Sequence, residues 1–281
     1  MIVLKKIALM CDSCADLSPQ EANELNIHVV RMPLYVDGQQ HIEGITISED
    51  DIVTAMRNQK TVKTSQPVLG DVLSMWDELL KSYDEVFYLP LSKNLSGTCA
   101  TAISMAEQYD GRVTVVDSEF VCYPVITVLK WARELFEQGM GCSEVKEKIE
   151  TESNLYAVLI PENMDALKNG GRVSPAAAAI AGMLKICPLL CVDHGAIDLA
   201  AKVRTLKKAY KQGLSMVTEG VQYEDYHWMI IDSDNREVSN ELKTQLEEIV
   251  GQEVEQRTFH AVILSHTGPG TIGFGRIRKM K

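Results

Sequence analysis

The chain has 281 residues, 46% of them apolar, a net charge of −11 and seven cysteines. That length suits one large or two medium domains with an adequate core. The acidic balance argues against nucleic acid and anionic membrane surfaces, which are read by clustered Lys and Arg. No apolar run approaches the roughly 20 residues of a membrane span. The N-terminus MIVLKKIALMCDS is not patterned as a secretory signal, because lysines interrupt its apolar stretch. A cytoplasmic chain with reduced cysteines is expected.

In chain order, residues 7–11 form a short apolar run, read as a strand ending at Asp12-Ser13. Ser18-Pro19 caps and opens a helix through Leu25. Residues 27–36 read as extended, with Asp37-Gly38 as a hairpin turn. Ser48 starts a capping box before a helix to about Asn58. Thr64-Ser65-Gln66-Pro67 leads into a helix over 69–83. The apolar strand 86–91 stops at a loop rich in hydroxyls, Ser92 to Thr98, and turns straight into another helix. A further strand, 113–116, ends at Asp117-Ser118. Strand, loop and helix in alternation predict an α/β fold with a mostly parallel sheet, whose ligands bind at the carboxyl ends of the strands.

From about Leu155 the pattern changes. Residues 156–160 read as a strand, Asn169-Gly170-Gly171-Arg172 as a turn, and 175–184 as a helix of small residues. Residues 186–192 and 197–203 flank Asp193-His194-Gly195 as a hairpin. Helices over 205–217 and 237–250 alternate with strands at 228–232 and 262–265. A second α/β domain with a mixed sheet is expected, giving domains 1–150 and 151–281.

Several stretches carry candidate chemistry. Ser96-Gly97-Thr98 opens a helix, whose free N–H groups and positive dipole end suit an anion; a plain N-cap explains the same residues. Thr64 and Ser65 offer hydroxyls at a second helix start. His266 stands after a predicted strand. Gly268, Gly270 and Gly273 spell G-x-G-x-x-G, yet no βαβ unit follows, so a dinucleotide site is rejected. There is no G-K-[ST] triplet and no G-x-S-x-G elbow around Ser96. Cys11/Cys14 and Cys187/Cys191 are close pairs, read as small buried side chains rather than as a metal or redox site. No metal and no cofactor is expected.

Taken in order, IALMCDSCADL, KTSQP, LSGT, VTVVDS, NGGRVS, LKICPLL, KVRT and SHTGPGTIG resemble the DegV family of bacterial fatty-acid-binding proteins nearly end to end. The resemblance implies two α/β domains with a long acyl chain in a tunnel between them. It also implies a non-catalytic, lipid-carrying subunit of a two-component fatty acid kinase, with a separate subunit phosphorylating the bound carboxylate to an acyl phosphate for phospholipid metabolism. Carried over by motif, the head-group contacts are Thr64 and Ser65 of T-S-Q-P, Ser96, Gly97 and Thr98 of L-S-G-T, and His266 and Thr267 of H-T-G. Arg204 of V-R-T is placed near the head group and the kinase contact. Two departures stand out: Cys14 replaces a hydroxyl after Asp12-Ser13, and Ser92-Lys93-Asn94 replaces S-S-G, which sets Lys93 beside the expected mouth. The residues agree with this implication, since a buried carboxylate needs several donors. A tail of roughly fifteen methylenes is worth on the order of 12 kcal/mol gross when buried. The small residues 176–179, 181 and 182 fit either room for that tail or close helix packing. A lipid-responsive regulator, or an enzyme on a small carboxylate using His266 as acid or base, remain alternatives.

Overall fold

The computed structural model describes residues 5–181, 183 and 186–280. The first half runs β1 (Ile7–Asp12), α1 (Pro19–Glu24), β2 (Ile27–Val30), β3 (Pro33–Val36), β4 (Gln39–Ile42), α2 (Glu49–Arg57), β5 (Val62–Thr64), α3 (Leu69–Leu79), β6 (Glu85–Leu89), α4 (Thr98–Ala106), β7 (Val113–Val115), α5 (Pro124–Glu137) and α6 (Cys142–Glu152). The second runs β8 (Leu155–Ile160), α7 (Asp165–Gly170), α8 (Pro175–Ala178), β9 (Cys187–Asp193), β10 (Ala196–Val203), α9 (Leu206–Thr218), β11 (Tyr226–Asp232), α10 (Arg236–Val250), β12 (Val254–Thr258), α11 (Ala261–Thr267) and β13 (Ile272–Arg278).

The fold is α/β, with one parallel and one mixed sheet. The parallel sheet has the order β2-β1-β6-β7. Its strands are buried on both faces, which is why they read as continuous apolar runs. Ala8, Met10, Val86 and Tyr88 pack under α3 and α4. Leu9, Cys11, Phe87 and Leu89 face α5 and α6. The six-stranded sheet, β10-β9-β8-β13-β11-β12, is antiparallel except for β11 with β12. Its Val158, Ile160, Ile230 and Phe274 pack against α9 and α10. Its opposite face, with Leu155, Leu159 and Met229, joins the apolar cluster of the first half. One continuous interior therefore runs between the two sheets.

Local signals act as their chemistry dictates. Ser18 with Glu21 and Ser48 with Asp51 form reciprocal capping boxes on α1 and α2. Asp37 and Gly38, with φ of 49° and 86°, make the two-residue turn between β3 and β4. His194 and Gly195 turn β9 into β10 in the same way.

Other expectations are corrected. The extended run 27–36 breaks at Arg31-Met32 into β2 and β3, and β3 joins a separate antiparallel sheet, β4-β3-β5. The small-residue helix is a single turn, Pro175–Ala178; Gly182 and Leu184 lie outside the described residues. Residues 262–265 are not a strand but the middle of α11, and the last strand, β13, follows the glycine-containing loop. Those glycines thus precede a strand rather than a helix, the reverse of a dinucleotide loop. Among the described residues, no helix is long and apolar enough to cross a membrane, and no His/Cys/Asp/Glu cluster is arranged to hold a metal.

A cavity between the sheets

β5 ends at Thr64, where the T-S-Q-P loop begins. The loop is held by the Ser65 N–H donating to Pro33 O at 3.1 Å. Gln66 lies across Gly97: a Cβ there would stand 2.5 Å from Gln66 Nε2, so the T-S-Q-P and L-S-G-T loops meet because position 97 has no side chain. Ser96 is not the N-cap of α4; Gly97 is. Ser96 Oγ instead accepts from the Thr98 N–H at 3.2 Å and shares a 2.8 Å hydrogen bond with Thr98 Oγ1.

His266 enters from the last turn of α11. Its Nε2 and Thr64 Oγ1 share a hydrogen bond of 2.7 Å across 202 positions of sequence. The other ring nitrogen faces Gly170 at the end of α7, where a Cβ would come within 2.7 Å of Nδ1. Gly171, at φ 67°, closes α7 in the left-handed region and turns the chain to Arg172, which donates to Gly170 O. Burial, helped by the Arg172 cation, holds the His266 imidazole down at about 4. The ring is therefore neutral around neutral pH.

These groups form one end of a cavity of about 310 Å³, within the range of small-molecule sites, roughly 300–1,000 Å³. Behind them the walls are apolar: Leu91, Leu95 and Val121 from the first half, Leu155, Leu159 and Ile231 from the mixed sheet, and Val262 and Ile263 from α11. On the outer side, a polar recess of about 820 Å³ shares Thr64, Gly170, Arg172 and His266 with the cavity and adds Lys60, Lys63 and Asn169. The Thr64–His266 pair thus stands where an apolar chamber meets a polar one. Hydroxyls, an amide, a guanidinium and an imidazole converge there, a donor set suited to an anionic head on an apolar body.

A family model described as uncharacterised proteins of the DegV family matches residues 6–279. The chain belongs to the DegV family. A DegV domain-containing protein of Deinococcus radiodurans is 31% identical over 279 residues, spanning 95% of this chain and 96% of the relative. A fatty-acid-binding DegV family protein from Thermus thermophilus superposes with a TM-score of 0.85 at 28% identity, over 98% of this chain and 99% of that one. DegV of Bacillus subtilis, described as a fatty acid binding protein, gives 0.84 at 26% identity over 98% and 100%.

Of the positions that the DegV motifs single out, Thr64, Ser65, Ser96, Gly97, His266 and Thr267 line the one cavity. Thr98 is buried behind Ser96 and does not. Arg204 is exposed just beyond β10, away from the cavity lining; the cation that lines it is Arg172. The sequence offered a signal for Arg172, the turn N-G-G-R, without showing where it points. Lys93 turns aside to Asp117 at 2.8 Å and lines neither the cavity nor the polar recess. Asp12 and Ser13 are structural: Asp12 accepts from the Cys14 and Leu91 N–H groups, and Ser13 Oγ from that of Met32. None of residues 176–179 or 181 lines the cavity. Cys187 and Cys191 share β9, while Cys11 and Cys14 are buried around the end of β1.

Proposed function

We propose that this chain binds one long-chain fatty acid, its tail in the apolar cavity and its carboxylate at Thr64, Ser65, Ser96, Arg172 and His266. The observation that carries the reading is the apolar chamber ending at the Thr64–His266 pair. It is supported by relatives described as fatty-acid-binding at 26–28% identity. A carboxylate buried without partners is very costly; here hydroxyl, amide and guanidinium donors face it from separate elements. The chamber extends into a tunnel as the tail enters, since the tail's methylenes contribute about 0.8 kcal/mol each when buried.

The polar recess outside the pair gives a phosphoryl donor access to the carboxylate, so the protein presents its ligand to a separate kinase subunit in the cytoplasm, with Arg204 as a docking contact. Acyl-phosphate formation belongs to the two proteins together. The test is mass spectrometry of lipid extracted from purified protein, followed by ATP-dependent acyl-phosphate assays with and without the kinase subunit. A long-chain fatty acid in about one-to-one ratio, and turnover only with both proteins, are expected. No extracted lipid together with no uptake of oleate overturns the binding reading; turnover by the lone chain overturns the carrier role.

A further inference from the structure

α11 delivers four cavity residues, Val262, Ile263, His266 and Thr267. A helix start leaves N–H groups to be satisfied, and the N-cap side chain is the usual acceptor. Here the N-cap is His260, and its side chain makes no cap bond. Two carboxylates from the other half of the chain act instead. Asp16 Oδ1 accepts from the His260 N–H at 3.0 Å, and Glu43 Oε1 accepts from the Val262 N–H at 2.9 Å. Both are buried, 2% and 1% exposed. Among the described residues, Glu43 Oε2 makes no hydrogen bond and faces Arg31 Nη1, 3.5 Å away. The Cys122 thiol, which lines the cavity, lies against the Asp16 carboxyl.

Burying two carboxyl groups is costly compared with placing a serine or asparagine at position 260. What the remote caps add is a tie between halves: they clamp the start of α11 to the parallel-sheet side. We propose that Glu43 and Asp16 are positioning residues, which fix α11 along its axis and thereby hold His266 in register with Thr64. The inference rests on reading this cavity as the ligand site.

Burial pushes Glu43 up to about 7, against the pull of the Val262 N–H and Arg31. The groups facing it are Asp12 at the end of β1, Asp16, Arg31 between β2 and β3, and Glu49 of α2, and Glu49 in turn lies 3.8 Å from the His260 ring ahead of α11. An ionised carboxylate is the stronger acceptor. The grip on α11 therefore tightens as pH rises through neutrality, while His266 keeps its neutral form down to about pH 4.

The experiment follows the His266 ring by NMR in the full-length protein, freed of lipid, across pH, and measures oleate affinity. In the natural sequence the ring signals are expected to move with a midpoint near pH 7, well above the value of the ring itself. Glu43→Gln, which keeps an acceptor oxygen but does not titrate, abolishes that step, and the affinity loses its change across neutrality. Glu43→Leu removes the acceptor and lowers affinity about tenfold. A step that persists in the Glu43→Gln, Asp16→Asn double variant belongs to neither carboxylate and overturns the proposal. So do ring signals and affinity that stay unchanged in both Glu43→Gln and Asp16→Asn. If Glu43→Leu fails to fold, the titration with Glu43→Gln decides alone. If the natural protein takes up no oleate, the proposed function fails, while the ring titration still decides the positioning role.

Discussion

Thr64→Val deletes one hydroxyl, keeps the β-branched shape that suits the end of β5, and tests the polar end of the cavity directly. Two effects compete. In the empty protein, Thr64 Oγ1 is the 2.7 Å partner of His266 Nε2. Its loss leaves a largely buried imidazole unsatisfied, at about 1 kcal/mol, the low end of the usual range. In the complex, the lost bond to a charged carboxylate is worth about 1.5–3 kcal/mol, while the ligand itself satisfies the ring. The net loss of binding is the difference, about 0.5–2 kcal/mol, or about two- to thirtyfold in affinity. The same 1 kcal/mol lowers the melting temperature of the empty protein by about 2–4 °C. Calorimetry with oleate on lipid-stripped protein, beside thermal denaturation, reads both. Thr64→Ser restores the two, and the methyl ester of oleate, which carries no charge, shows a smaller penalty. Affinity equal to the natural protein's, with only the melting temperature lowered, would refute the argument: Thr64 would then serve His266 and not a ligand.

Gly170→Ala places a Cβ 2.7 Å from His266 Nδ1 at the end of a helix. Alanine's helix preference, up to about 1 kcal/mol, is set against pushing the ring off its bond to Thr64, about 1 kcal/mol, so the melting temperature should hold or fall while oleate affinity falls; unaltered affinity dissociates Gly170 from the site. His266 has a folded value of about 4 against an ordinary 6.5. The unfolded chain takes up the proton first, so this group's contribution to stability is present above about pH 6.5 and is lost as pH falls toward 4. His266→Gln should flatten that limb of a stability-against-pH curve, and bound fatty acid should raise the ring's value, since a nearby carboxylate favours the imidazolium. Ser96→Ala should weaken oleate binding about tenfold and cost no more than about 1 kcal/mol of stability, because Gly97 and not Ser96 holds the N-cap position. A stability loss with intact binding assigns Ser96 to the loop alone.

What the chain determines by itself is local and short-ranged. The capping boxes at Ser18 and Ser48, the Asp37-Gly38 and His194-Gly195 turns, and the doubly buried runs of β1 and β6 each carry their cause within a few residues. The order of its motifs determines the family. Most of the polar end of the cavity was legible in the same way, since Thr64, Ser65, Ser96 and His266 sit in motifs of their own. Tertiary structure decided the rest. Residues 262–265, Val-Ile-Leu-Ser, read as a strand because β-branched apolar residues favour one and no capping residue precedes them. They form a helix because Asp16 and Glu43, 244 and 219 positions away, satisfy its first N–H groups. Arg172 reaches the cavity, and Arg204 does not, because that depends on where the chain leaves α7 and β10 in space. A helix end or a site donor is settled by whichever group arrives to share its hydrogen bond, and when that group comes from the far side of the core, neither spacing nor propensity records it.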